Sequence, residues 1–265
     1  MLVRRKRLDL LLVERGLLAS RDRAQAHILA GKVLVDGRLI DKSGTKVRTE
    51  AELVLLEDDS PYVSRGGLKL EKAIHSFGLD FKGKIVLDAG ASTGGFTDCA
   101  LQHGAAKVYA VDVGYGQLAW DLRQNPRVTV LERTNIRYLT AQQLVPRPEI
   151  ACIDVSFISL KKVIPPILDV LVGRKEIVAL IKPQFEAGKG KVGKGGIVRD
   201  PLLHREVVVA IVELLDQHLN CAGLDYSPIT GAKGNIEYLV YACAGCRKTT
   251  LDIDQVVKEA HAKLA

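Results

Sequence analysis

The sequence predicts an α/β protein in two parts: a helix-flanked, mixed sheet of seven strands, parallel except at its end, behind a small α+β unit. Three observations predict it. From Gly67 onward, strand-like and helix-like segments alternate as in a parallel sheet covered on both faces. Before that point the order is helix, helix, hairpin and strand, a unit with its own pattern. The charge divides at the same place. The net charge of +7 lies wholly in residues 1–48, which hold twelve Lys and Arg against five Asp and Glu; the remaining 217 residues are neutral overall.

The N-terminal unit is expected over residues 1–58. LDLLLVERG reads as a short amphipathic helix ending at Gly16. Ser20 is placed to cap a second helix, SRDRAQAHILAG, which Gly31 stops. KVLVDGRLI makes two short strands about Asp36-Gly37, a pair that favours the tight hairpin turn. KSGTKV supplies a turn and AELVLL another strand. Arg4, Arg5, Lys6, Arg7, Arg21, Arg23, Lys32 and Arg38 cluster on these first helices and strands. A small basic block on a neutral body points to a nucleic-acid-binding attachment. A solvated basic surface is the plainer alternative. EDDSPYVSRGG is acidic, then carries Pro61 and small residues, and reads as a linker assigned to residues 59–66.

The body is expected over residues 67–265. KLEKAIHSFG opens it as a helix. KIVLD, KVYAVD, VTVLE, IACIDVS and EIVALIKP are strands. GGFTDCALQHG, GQLAWDLRQ, SLKKVIPPILDVLVG and a segment near 202–218 are helices. GLDYSPI and EYLVYACAG add two strands, the last antiparallel, and LDIDQVVKEAHAKLA closes the chain as a helix.

Open α/β sheets bind ligands at the carboxyl ends of their strands. The first strand runs into LDAGASTGGFT, where Gly90, Gly94 and Gly95 fall within six residues. A dinucleotide would favour G-x-G-x-x-G, and a P-loop needs G-K-S/T; this loop has neither, and no basic residue to meet a phosphate. It suits a nucleotide-like ligand without a pyrophosphate, S-adenosylmethionine, unless it is a plain β–α turn. The candidate cofactor residues in it are Asp88, Gly90, Ser92, Thr93, Gly94, Gly95 and Phe96. Asp112 ends the second strand, where a carboxylate can accept both hydroxyl hydrogens of a ribose. Glu132 ends the third and leads to Asn135, placed to edge an adenine. Asp154 ends the fourth strand, Lys182 the fifth, and Glu237 begins the last, so these three are expected to converge over one ligand. After Lys182, PQFEAGKGKVGKGGIVRD carries five glycines with Lys189, Lys191, Lys194 and Arg199. A loop of that kind suits the phosphates of a polyanionic substrate.

Other classes fit poorly. No apolar run approaches the roughly 20 residues of a membrane helix. The N-terminus begins MLVRRKRLDLLLVERG, with charges interrupting its apolar part, and is not expected to be a signal peptide. Five cysteines give no disulfide framework, and the protein is read as cytoplasmic. Cys243-Ala-Gly-Cys246 is set aside as a metal or redox site, since no second pair is spaced to complete a zinc centre.

Several segments resemble one family closely. VSRGGLKLEKA, LDAGASTGGFTD, VDVGYGQLAW, LERTN, DVSFISL, KPQFEAGKGKVGKGGIVRD and KGNIEYLVY are similar to the TlyA family, rRNA 2′-O-methyltransferases whose members are also called haemolysins. The likeness covers essentially the whole chain. It implies a small RNA-binding domain of the ribosomal protein S-four type, followed by a Rossmann-like, FtsJ-type methyltransferase domain. It further implies S-adenosylmethionine as cofactor, cytidine riboses of ribosomal RNA as targets, ribosomal subunits as partners, no metal, and a monomer. Members modify the large subunit alone or both subunits. By its length, this chain is similar to the dual type. The resemblance also implies a Lys-Asp-Lys-Glu tetrad: SRGGLK supplies Lys69, CIDVS Asp154, LIKPQF Lys182 and GNIEY Glu237. Lys69 comes from the resemblance alone. Where FtsJ-type loops usually read Pro-Gly-Gly, this chain has Thr93-Gly94-Gly95, as TlyA-like sequences do. The rival readings are a membrane-lytic protein and an RNA-binding module with an inactive methyltransferase fold.

Overall fold

In the computed structural model the described residues are 4–18, 20–29, 31–56, 61–188, 190–193 and 195–264. The N-terminal unit contains β1 (Arg5–Arg7), α1 (Leu8–Glu14), α2 (Arg21–Leu29), β2 (Val33–Val35), β3 (Arg38–Leu39), β4 (Lys46–Arg48) and β5 (Leu53–Leu55). Ser20 caps α2 as expected, its Oγ accepting from Arg23 N at 3.2 Å. Asp36 and Gly37 both take positive φ (49° and 74°), which is what a tight turn between β2 and β3 demands. Apolar side chains of α1, α2 and β2 close a separate small core around Leu8, Leu12, Ile28 and Val33.

One pairing in this unit was not foreseen. Residues 5–7, read only as part of a basic cluster, form β1 and pair antiparallel with β4, inside the segment read as a turn. Two three-residue strands rich in Arg and Lys carry no apolar alternation, so the period-2 signal is missing.

The body holds α3 (Gly66–Phe77), β6 (Ile85–Ala89), α4 (Gly95–Gln102), β7 (Lys107–Val111), α5 (Trp120–Gln124), β8 (Val128–Leu131), β9 (Ile150–Ile153), α6 (Ile164–Val170), β10 (Glu176–Ile181), α7 (Pro183–Glu186), α8 (Pro201–Asp216), β11 (Asn220–Tyr226), β12 (Tyr238–Cys243) and α9 (Ile253–Leu264). Its seven strands lie in the order β11-β12-β10-β9-β6-β7-β8. Five are parallel; β12 runs antiparallel to both neighbours, as the sequence indicates for the last strand. Alternate residues of β6 face two cores. Leu87 and Ala89 belong to the core that α6, α8 and α9 close, while Val86 belongs to the core under α3 and α4. The chain starts the sheet at β6, builds outward through β7 and β8, then returns to the other side of β6 with β9. That reversal opens a crevice beyond the carboxyl ends of β6 and β9.

Two expectations change. Residues 61–66, assigned to the linker, are packed on the body: Tyr62 is buried in its core, Val63 N donates to Asp98 Oδ2 at 2.8 Å, and Ser64 is buried. An aromatic ring next to Pro61 is masked by the turn-like residues around it. Cys243 and Cys246, set aside in the sequence, are joined as a disulfide with Cα atoms 5.5 Å apart. The turn that joins them, with Gly245 at φ 76°, folds the chain back at the end of β12.

Candidate active site

The glycine loop is shaped by close approaches. Gly90 has φ 94°, and a Cβ there would lie 2.5 Å from the Asp154 carbonyl oxygen. A Cβ on Gly95 would lie 2.4 Å from Ser64 Oγ and 2.7 Å from Gly67 N, because α4 begins against the start of α3. So these glycines let three backbone segments meet at one point. They leave bare backbone as the wall of a cavity of about 570 Å³.

Of the predicted cofactor residues, Gly90, Ser92, Thr93, Gly95, Phe96 and Asp154 line this cavity. Gly94, Asp88, Asp112 and Asn135 are not on its wall. Gly94 turns behind it, where a Cβ would strike Leu122. Asp88 is not the terminal residue of its strand: β6 continues to Ala89, and the pleat turns Asp88 inward to the α4 side. Its Oδ2 accepts from Thr97 Oγ1 at 2.6 Å, and its Oδ1 has no hydrogen-bond partner among the described residues. Burial pushes its carboxyl up to about 7. Asp112 follows β7 and accepts from Ser92 N (2.9 Å) and Gly114 N (2.6 Å), tying the glycine loop to the next one. Asn135 caps a short turn and accepts from Arg137 N at 3.1 Å.

At the end of the cavity the tetrad comes together from α3, β9, β10 and β12. Lys69 Nζ donates to Glu237 Oε2 at 2.6 Å and stands 4.0 Å from Asp154 Oδ2. Lys182 Nζ lies 2.6 Å from Asp154 Oδ1 and donates to Ser156 Oγ at 3.0 Å. Lys69, Lys182 and Glu237 are all buried. Burial works against the charge of Lys69, but Asp154 and Glu237 outweigh it and hold its pKa above the ordinary value. Burial also works against ionised Asp154; the two lysines outweigh it and hold that carboxyl low. Lys69 and Asp154 thus sustain each other's charge inside the buried pocket.

Sequence reasoning missed two members of this group. Ser156, two residues past Asp154, could have been found by the same strand-end rule. Gln184 Nε2 approaches Glu237 Oε1 at 3.4 Å, and nothing in its sequence context marks it.

The basic residues divide by role. Arg7 binds both oxygens of buried Asp9, at 2.9 and 2.8 Å, and Arg21 meets the same carboxylate at 3.0 Å, so these two serve the small core. Arg4, Arg5 and Lys6 flank a shallow surface cavity with Arg15 and Thr49. Arg23 and Arg38 are exposed, and Lys32 lies between α2 and β2. In the glycine-rich loop, Lys191 pairs with Glu206 at 3.1 Å; Lys189 and Lys194 lie outside the described residues. Among the described residues no helix is long and apolar enough to cross a membrane, and no group of His, Cys, Asp and Glu is arranged to hold a metal ion.

Comparison with known proteins identifies the family of both units. Residues 62–243 match the model of the FtsJ-like methyltransferases, and residues 6–53 match that of the S4 domain. The candidate rRNA methyltransferase YqxC of Bacillus subtilis is 49% identical over 98% of this chain and 96% of its own. The 16S/23S rRNA (cytidine-2′-O)-methyltransferase TlyA of Mycobacterium tuberculosis is 46% identical over 91% of this chain and 90% of its own. A solved structure from Streptococcus thermophilus, named as a hemolysin, superposes with a TM-score of 0.77 at 42% identity, covering 98% of this chain and 97% of that one.

Proposed function

We propose an activity from one premise: this chain belongs to the TlyA family, S4-domain proteins with an FtsJ-like methyltransferase domain. The activity is methyl transfer from S-adenosylmethionine to the ribose 2′-hydroxyl of cytidines in ribosomal RNA. We extend it to both subunits, following the 16S/23S name of the mycobacterial relative. The observation that carries it is the meeting of Lys69, Asp154, Lys182 and Glu237 beside the glycine-loop cavity.

The residues present suit that cofactor. The cavity has room for a nucleoside-sized molecule, the glycines of the loop would let it approach the backbone closely, and ionised Asp154 on the wall would suit a positive sulfur. Asp112 does not line the cavity; its bonds from Ser92 N and Gly114 N fix the shape of the loop that does. When bound, S-adenosylmethionine supplies a methyl group on a sulfonium that leaves as a neutral thioether. The rest is the work of this chain's side chains. Lys69 is held charged between two carboxylates, so it is unsuited to take a proton and serves as a fixed cation. That leaves Lys182 as the base: its Nζ, oriented by Asp154 and Ser156, takes the proton of the 2′-hydroxyl as the oxygen attacks. Glu237 holds Lys69 in place, with Gln184 beside it. Most of the acceleration comes from holding oxygen, methyl carbon and sulfur in line.

The test is transfer of labelled methyl to isolated ribosomal subunits, with mapping of the modified nucleotide. Labelled cytidine 2′-O positions are expected. Binding of S-adenosylmethionine without transfer to either subunit would instead support a module whose methyltransferase fold is inactive.

A further inference from the structure

Arg65 stands outside both the tetrad and the glycine loop. It immediately precedes α3, one helical turn before Lys69, and its side chain lies on the wall of the same cavity. That wall is built by both units: Leu29, Gly31, Leu39 and Asp41 come from the S4 domain, Lys69 and Lys182 from the body. The Arg65 stem runs to the backbone at Gly31, where a Cβ would sit 3.5 Å from its Cδ and 3.7 Å from its Nη1.

The other cations here are spoken for. Lys69 and Lys182 face carboxylates, exposed Lys233 on the same wall donates to the Gly195 carbonyl, and Arg7, Arg21 and Arg48 are paired within the S4 domain. Arg65 is half-buried, yet among the described residues its guanidinium has no ion pair and no hydrogen bond; Asp41, on the same wall, does not pair with it. A partly desolvated guanidinium without an anion is costly unless a ligand completes it. Its fork of donors matches a phosphate's oxygens in a bidentate way that a lysine cannot copy. A ribose with its 2′-oxygen at Lys182 carries a 3′-phosphate on the neighbouring carbon, so an anion arrives with the substrate.

We propose that Arg65 grips a backbone phosphate beside the target ribose, at the seam where the S4 domain meets the methyltransferase body. This rests on the RNA-methylation reading. The competing anion, the carboxylate of S-adenosylmethionine, fits less well: Arg65 contacts the S4 domain, and the close approaches to the glycine loop are made by Ser64, Gly66 and Gly67 instead.

The test uses the full chain and large-subunit rRNA, with binding measured against salt. Arg65→Ala should flatten the slope of log affinity against log salt by roughly 0.7–0.9, the loss of one phosphate contact. Its rate of methyl transfer should fall roughly 10- to 100-fold, with S-adenosylmethionine affinity kept within about twofold, which also shows that the variant is folded. Arg65→Lys should restore the slope, as a point charge, but only part of the rate. An unchanged slope in the alanine variant, or a slope that lysine does not restore, overturns the proposal. Weakened S-adenosylmethionine binding hands Arg65 to the cofactor carboxylate and overturns it too. If the wild-type chain methylates no rRNA, the activity reading fails by itself, while the salt slopes still read the phosphate contact.

Discussion

Lys69 and Lys182 share the Asp154 carboxylate, but only Lys69 also has Glu237. That asymmetry makes different variants of Lys182 informative. Lys182→Ala should lower single-turnover methyl transfer about 100- to 10,000-fold, the usual loss of a general base. Lys182→Arg keeps the charge but cannot release a proton at accessible pH, and should be nearly as slow. Both should bind cofactor and RNA within a few fold of wild type; an arginine variant with near-normal rate would leave Lys182 only a positioning task. Asp88 gives a prediction about stability. Its folded pKa, about 7, lies above the ordinary value near 3.9, so folding binds a proton. The corresponding stability is full below about pH 4 and is lost as pH rises through about 7. In urea unfolding of the cofactor-free protein, Asp88→Asn should gain on wild type across that window, by at most ~4 kcal/mol. A constant difference between the two proteins from pH 4.5 to 8 would show that Asp88 does not titrate as its burial requires. Strand-end reasoning reached Asp154, Lys182 and Glu237 because each sits where a strand meets the crevice. It misjudged Asp88 by one residue, and in a pleated strand one residue exchanges the two faces. Lys69 sits inside a helix, where no strand-end rule applies, and only the family likeness reached it.

At the level of elements, the crossing of α3 over the start of α4 decides the site, because it brings Lys69 to the glycine loop. Gly67 stands where a Cβ would lie 2.3 Å from the Tyr62 ring. Gly67→Ala should cost about 1–3 kcal/mol in chemical denaturation, as overpacking does. Tyr62→Leu in the same chain should recover none of that loss, because leucine keeps the Cβ, Cγ and Cδ2 positions that obstruct. Recovery would mean that the outer ring, not the root of the side chain, carries the strain. Gly95→Ala meets Gly67 N, a backbone atom, and should be costly in the same way. The longer strands and helices of the body were readable because their apolar periods are clean. The linker expectation failed at Tyr62 and Ser64, which pack on α3 and α4 although their neighbours are turn formers. GQLAWDLRQ gives a helix only from Trp120 to Gln124, since Ala119 is extended at ψ 140°.

Across the whole molecule, separate cores divide the tasks. The N-terminal core forms around Leu8, Leu12 and Ile28, while the tetrad and the glycine loop belong to the body. A chain beginning at Pro61 should fold and bind S-adenosylmethionine, but lose most of its affinity for rRNA. Binding by the full chain should fall steeply with salt, as release of counterions from RNA requires. Equal rRNA binding by the shortened chain at matched salt would reduce the basic unit to a solubility device. The division itself was legible in the charge. The shared cavity was not: contact between Gly31 and Arg65 depends on how two units settle together, and no local period in the sequence encodes that.

The ion pair between Lys69 and Glu237 spans 168 residues of chain, and β12, which follows Glu237, fits between β10 and β11. Synthesis runs from the N-terminus, and domains fold as they emerge. The S4 domain is therefore finished early, while the tetrad waits for almost the last strand to be made. A ribosome that stopped between Tyr226 and Glu237 would release a chain with a complete S4 domain and an unfinished tetrad.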